Sequence, residues 1–386
     1  MKNSIHFLPV FALATAILTS PAFAQLSVPS DGSDGALNIT SNTVIDLSQA
    51  VTGTWSANNA ANAGKGIYDA GKWAVVFKYS SVSIASGATL TFANHYSRAP
   101  VVWLVQSGVT INGTVSVNGN NGTTSYPELQ NLTEPGPGGF RGGAVSSVGS
   151  GDGLGPGGGV SGVSAPTYQT SYGNPQILPL IGGSGTAQDG GSGGSGAGAI
   201  LIVAAGTVSV NGAISAYPGA SGRWGSLAAG GGIRVVANQI SGNGIINAAP
   251  QGRTRMEANS ISSQLNIIPN VALVSPGTTP VIWPPASAPT VSIVSVGGQP
   301  APTDPVANVI SSPDIGIQTN SPVTVLLQTQ NFPIAGAVAL RLVPVYGPSS
   351  VLNASYVSGN TTLATWQLTA QIPVGYCVLQ AHATAP

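Results

Sequence analysis

Four carboxylates share one Gly-rich stretch: Glu128, Glu134, Asp152 and Asp189, with Arg141 among them. They are the only acidic group in the chain that could converge. Two carboxylates about 5–9.5 Å apart would serve a glycoside hydrolase, one as proton donor and one as nucleophile or base. Carboxylates gathered for calcium, with Arg141 or Arg234 as the cationic base, would serve a polysaccharide lyase. The same stretch carries Tyr126, Phe140, Tyr168 and Tyr172, and a later loop between coils carries Tyr217 and Trp224. Aromatic faces stack on sugar rings, and Arg141 adds a fork of donors, so these are the candidate ligand-binding residues. For each of them the plain alternative is ordinary loop packing.

The remaining reactive types are sparse. His95 stands beside Tyr96 and Arg98 with no carboxylate or nucleophile near it in sequence, so a hydrogen-bonded loop histidine is expected. Cys377, the single cysteine, lies in the apolar run 375–379. A nucleophilic thiol needs a base, and only His95 and His382 follow residue 24, so a buried, inert thiol is expected. Asp31 and Asp34 alternate with Gly32 and Gly35 and are the metal candidates, since hard cations take oxygen ligands on tight turns. The full calcium-loop spacing and its closing Glu are missing, and an Asx-capped turn accounts for the run more simply. The Gly runs 136–143 and 155–159 lack the Gly-Lys-Ser/Thr end and the following helix of a phosphate loop. No cofactor is expected.

What must position these residues is a repeated unit. Val208-Ser209-Val210-Asn211-Gly212-Ala213-Ile214-Ser215 alternates apolar and polar on both sides of Asn-Gly. Residues 109–117, 240–248 and, without the Asn, 82–90 have the same shape. A continuous apolar run precedes each copy, at 75–78, 101–105, 200–204 and 233–237. Three short strands per turn, recurring, are the signature of a parallel β-helix. In the rival reading each Asn-Gly is the tip of a hairpin. That reading does not explain why the apolar strand recurs.

Composition agrees. Charged residues are 6% of the 386, and the formal net charge is zero. That excludes a nucleic-acid binder working by phosphate neutralisation. Gly (53) and Pro (29) are abundant, which suits short strands and many corners and leaves little room for helices. No disulfide can form within one chain, so the core must come from stacking.

In chain order, residues 1–24 read as an export signal: Lys2, an apolar run from Phe7 to Leu18, then Ala22-Phe23-Ala24. The run is too short to span a bilayer, and no transmembrane segment is expected in the mature chain. Residues 25–73 read as an N-terminal segment and β-helix cap, with Trp55 and Trp73 as plugs and Lys65, Tyr68, Asp69 and Lys72 at its surface. Residues 74–264 form the coils, with a Gly-rich insertion at 119–199. Roughly a third of that insertion is Gly, against about 7% in average usage. Its embedded Phe140, Ile177, Leu178, Leu180 and Ile181 mark an ordered excursion packed on one flank. Arg255 and Glu257 share a strand face and read as an exposed ladder. Residues 265–289 are Pro-rich and read as an extended linker. Residues 290–386 alternate without Asn-Gly corners and fit an immunoglobulin-like β-sandwich. The expected fold is therefore all-β: a right-handed parallel β-helix with a long Gly-rich loop insertion, then a small β-sandwich.

The segments 73–82, 94–105, 136–143 (Gly-Pro-Gly-Gly-Phe-Arg-Gly-Gly) and 178–185 (Leu-Pro-Leu-Ile-Gly-Gly-Ser-Gly) together resemble a group of exported Gly-rich bacterial β-helix proteins. The resemblance covers most of residues 30–260 plus the appended sandwich and implies no particular reaction. More coarsely, the coils resemble pectate-lyase-like and adhesin-like solenoids, without the motifs that make the lyases enzymes. The expected role is a secreted or cell-surface structural or adhesive protein, extracellular or periplasmic. Its partners would be extracellular polysaccharide or cell-envelope components. A polysaccharide lyase or glycoside hydrolase, and a self-assembling matrix subunit, are the alternatives.

Overall fold

The structure, a computed structural model, describes residues 26–124, 133–146, 149–160, 172–187, 190–223, 225–271, 273–306 and 312–386. The export-signal reading of residues 1–24 lies outside these. The chain is all-β, with two large parallel sheets and further antiparallel ones.

The repeats specify strands that pair in parallel with their counterparts. Ala74–Ile84 pairs with Val101–Val105 and Val109–Ile111, and these pair with Ala199–Val210, which pairs with Gly232–Ser241. Arg253–Glu257 and Ser260–Ile261 follow. In the second sheet Thr43–Asp46, Thr89–Ala93, Thr114–Ser116, Ala213–Ser215, Ile245–Asn247 and Asn266–Ile268 pair in that order. The register piles like residues into columns. One column is Val82, Val109, Val208, Ile240 and Ile261. Another is Leu90, Val115, Ile214, Ile246 and Ile267. Both point into one apolar core. The strands flanking Asn211-Gly212 lie in different sheets and do not pair with each other, so these corners are not hairpin tips. Gly212 is required there because a Cβ would collide with the backbone of Gly113 on the neighbouring rung. Asn211 donates from Nδ2 to Asn112 Oδ1 at 2.9 Å across the same rungs.

The apolar runs are continuous because both faces of that sheet are covered. Val76, Val102, Leu104, Leu201, Val203 and Val236 point away from the first core. They meet a second layer formed by Leu26, Ile177, Leu180 and Ile282. The insertion thus packs on one flank, through the cluster around Ile177.

The rest of the insertion is an interwoven backbone bundle rather than a loop. Residues 182–187 exchange backbone hydrogen bonds with four other segments. Gly182 N donates to Gly138 O, Gly183 N to Ala197 O and Gly185 N to Leu154 O, while Ser184 O accepts from Ala229 N (2.7–3.0 Å). A sheet strand has only two edges. Gly recurs every third residue here, at Gly136, Gly139 and Gly142, at Gly182 and Gly185, and at Gly193 and Gly196. Three residues per turn is the period of an extended helix whose backbone groups face several directions in turn.

Residues 265–289 do not simply extend. Asn266–Ile268 and Leu273–Val274 continue the two parallel sheets. Ile282 is buried, and the Trp283 ring lies 5.5 Å from that of Trp55. Beyond them, one five-stranded and one three-stranded antiparallel sheet share a core that includes Val325, Leu327, Leu340, Leu342, Trp366 and Leu368. Leu363–Ala370 buries alternate residues, as its sequence pattern requires. Among the described residues no helix is long and apolar enough to cross a membrane.

Candidate functional site

A cavity of about 530 Å³ opens where the parallel stack, the Gly bundle and the C-terminal sheets meet. Its walls come from distant parts of the chain. Trp73 ends the turn before Ala74–Ile84, and its indole donates to Ser97 O at 3.0 Å. Phe140 sits in the Gly bundle with its ring 6.5 Å from that of Trp73. Arg98 closes the turn begun by His95, its N–H donating to His95 O at 2.8 Å. Arg341 comes from Ala337–Pro344, and Gln380 and His382 from the adjacent strand Cys377–Thr384. Leu154, Pro156, Pro305, Val306 and Leu379 make much of the remaining wall apolar. Trp73 and Arg98 hold positive φ, 46° and 54°. That conformation costs a non-Gly residue about 1–2 kcal/mol and is concentrated at functional sites.

Three guanidiniums face this space. Glu134 lies between two of them, taking Arg98 Nε at 3.1 Å, Arg98 Nη2 at 3.2 Å and Arg141 Nε at 2.9 Å. Arg141 Nη2 also donates to it. Burial raises the Glu134 pKa, but Arg98 and then Arg141 outweigh that and hold it below its ordinary value. Arg341 donates to Ser349 Oγ (3.2 Å), Gly155 O (3.3 Å) and Gln380 Oε1 (3.2 Å), and Asp152 lies 3.8 Å from its Nη2. Burial pushes the Arg341 pKa below its ordinary value, only partly offset by Asp152. For Arg141, burial and then repulsion from Arg98 act in the same direction. Arg141 Nη1 and Arg341 Nη2 are buried with no hydrogen-bond partner among the described residues. Among the described residues the ion pairs set these three guanidiniums against two carboxylates, Glu134 and Asp152.

The four carboxylates do not form a free acid–base set. Glu134 is committed to its two arginines. Asp152 is buried, accepts from Ser349 N (2.9 Å) and Ser349 Oγ (2.5 Å), and fastens the C-terminal sheets to the Gly bundle. Glu128 and Asp189 lie outside the described residues, as do Tyr126, Tyr168 and Trp224. Of the aromatic candidates, Phe140 lines the cavity together with Arg141. Tyr172 does not reach it: its hydroxyl donates to Gly182 O at 2.7 Å, and its ring lies 5.3 Å from the Arg253 guanidinium. Tyr217 is exposed on the Gly-rich side, its N–H donating to Asn118 Oδ1.

Asp31 and Asp34 do different jobs. Asp34 is buried and accepts from Asn59 Nδ2 (2.7 Å), Gly64 N (3.0 Å) and Lys78 N (2.7 Å). Asp31 caps Ser33 N at 3.0 Å and pairs with the buried Lys78 at 3.2 Å. Burial would raise the Asp31 pKa, but Ser33 and Lys78 bring it down to about 2. Among the described residues no group of three or more His, Cys, Asp or Glu could hold a metal ion.

His95 lies between the rings of Tyr68 and Tyr96, centroids 4.0 and 3.9 Å away, with Nδ1 2.8 Å from Ser97 Oγ. Burial lowers its pKa, partly offset by Asp304. Tyr68, expected at the surface, is buried under this stack and donates to Asp304 Oδ1 at 2.6 Å. Glu257, expected on an exposed ladder, is buried. It takes Arg234 Nε at 2.8 Å and Arg255 Nε at 2.6 Å beneath the flanking segment 175–181.

Sequence reasoning missed Trp73, Arg98, Arg341 and His382 as neighbours. One signal was present: Arg341 is the only Lys or Arg in residues 290–386, and it stands inside an apolar strand. Comparison of the chain with family models, curated proteins and solved structures finds no match.

Proposed function

We propose that this chain is an exported sugar-binding protein of the cell surface or extracellular space. On this reading it is a right-handed parallel β-helix carrying an immunoglobulin-like sandwich, and the cavity between them takes a unit of a polysaccharide or envelope glycan. The observation that carries the proposal is the cavity lining: the rings of Trp73 and Phe140 on an apolar wall, with arginine donors beside them. Flat aromatic faces suit the C–H faces of sugar rings, and guanidiniums supply fixed forks of donors for ring substituents. Hydrolysis would need a carboxylic acid to protonate the leaving oxygen. Glu134, held ionised by two arginines, is unsuited to that role. A glycan array probed with the mature chain, run beside a reducing-sugar release assay, tests the proposal. Binding without release is the expected result. Release that disappears in Glu134→Ala or Asp152→Ala would replace it with the enzyme reading.

A further inference from the structure

We infer that the cavity selects a carboxylate-bearing sugar, a hexuronate unit, whose carboxylate lies between Arg141 and Arg341. This deepens the sugar-binding proposal and rests on it. Arg141 is 5% exposed, and among the described residues its Nη1 has no hydrogen-bond partner; Arg341 Nη2 is likewise buried without a hydrogen bond, its ion-pair contact with Asp152 Oδ2 being 3.8 Å long. Buried donors are normally satisfied, and a buried charged donor left unpaired is costly. Two such donors from two guanidiniums lining one cavity match the two oxygens of a carboxylate. The ion pairs agree: among the described residues the three arginines of the lining pair with two carboxylates, Glu134 and Asp152. A neutral sugar would bring no anionic acceptor to either N–H group.

The surroundings define the rest of the ligand. Trp73 and Phe140 offer ring faces, and Leu154, Pro156 and Leu379 offer apolar surface, which suits a ring carrying an anion more than a bare inorganic ion. Glu134 is a positioning residue. By gripping Nε and Nη2 of Arg141 and the fork of Arg98, it fixes the Arg141 plane and leaves Nη1 as the remaining donor. Arg341 is fixed in the same way by Ser349, Gly155 O and Gln380.

Isothermal titration of the mature chain tests this. The probes are trisaccharides of galacturonate, glucuronate and mannuronate, each paired with its methyl ester, plus neutral hexose trisaccharides. The acid and the ester share one ring and differ in charge, so the comparison uses the wild-type fold. At least one acid should bind about tenfold or more tighter than its ester, the size expected for charge-assisted hydrogen bonds. That margin should shrink between 50 and 500 mM salt, as roughly set by the change in Debye length. Arg141→Gln and Arg341→Gln, each checked for native circular dichroism, should each weaken the acid by about tenfold. Equal affinity for acid and ester, or preference for neutral sugars, would overturn this inference and leave the sugar-binding proposal standing. Acid binding that survives both substitutions together would move the site elsewhere. No binding across the panel would overturn both.

Discussion

Gly196→Ala puts the interwoven Gly bundle to a direct test. A Cβ at position 196 would overlap the carbonyl of Gly183 and come within 2.9 Å of the Ser184 amide nitrogen. Both neighbours are backbone, so no side chain can rotate away. Gly183 would have to retreat, and it holds two hydrogen bonds, from Phe140 N (3.0 Å) and to Ala197 O (2.7 Å). Overpacking costs about 1–3 kcal/mol, and each broken hydrogen bond about 1 kcal/mol. The expected total is about 3–5 kcal/mol, or roughly 6–10 °C in Tm at about 2 °C per kcal/mol. Thermal unfolding followed by circular dichroism measures it, and hydrogen exchange across residues 182–197 should accelerate. The matched control is Gly277→Ala, whose Cβ meets nothing nearer than Thr279 O at 3.5 Å. It should melt within about 1 °C of wild type or slightly above, because Ala narrows the unfolded ensemble. Equal melting of Gly196→Ala and Gly277→Ala would refute the close backbone packing and return the insertion to a loop.

Other expectations follow from single groups. Asp34→Ala strands the buried donor Lys78 N, leaves Asn59 Nδ2 only the long contact to Asn62 O at 3.4 Å, and should cost about 3 kcal/mol in urea denaturation. Asp31 has a folded-state pKa lowered to about 2, so its contribution is full above its unfolded value and is lost as pH falls. The Tm gap between wild type and Asp31→Asn should be constant above about pH 4 and close near pH 2. The Cys377 thiol is pushed up to about 11 by burial, so it should react with a disulfide reagent at neutral pH only after denaturation.

The parallel stack was legible because its physics is local and repeated. Val109 and Val208, ninety-nine residues apart, declare the same position through the Asn-Gly that follows each. The flanking layer was also legible, since Ile177 and Leu180 stand out among glycines. The bundle itself was not, because glycine carries no side chain to mark a face. The three-residue period of Gly136, Gly139 and Gly142, repeated at Gly182 and Gly185 and at Gly193 and Gly196, was its trace. Glu257 and Tyr68 were misplaced for a related reason. Their burial comes from segments far along the chain, Pro175–Ile181 over one and the His95 stack over the other. The cavity is the extreme case, assembled from residues between 73 and 382. Phe140 and Arg141 were legible as candidates from their place among the glycines, and the solitary Arg341 was a further hint.

One wall of the cavity, Trp73, Ser97 and Arg98, is set by turns of the parallel stack on which the other walls pack, so the register of its rungs is the quantity to measure. Asn112 and Asn211 are both exposed and sit side by side across neighbouring rungs, linked at 2.9 Å. Strands in a sheet are about 4.8 Å apart, within the Cα range of about 4.4–6.8 Å that a disulfide spans. Asn112→Cys with Asn211→Cys, in a Cys377→Ala background, should close an intramolecular bridge under mild oxidation, seen as one cross-linked peptide pair by mass spectrometry. Two thiols that stay free, or that link only between molecules, would contradict the stacked arrangement.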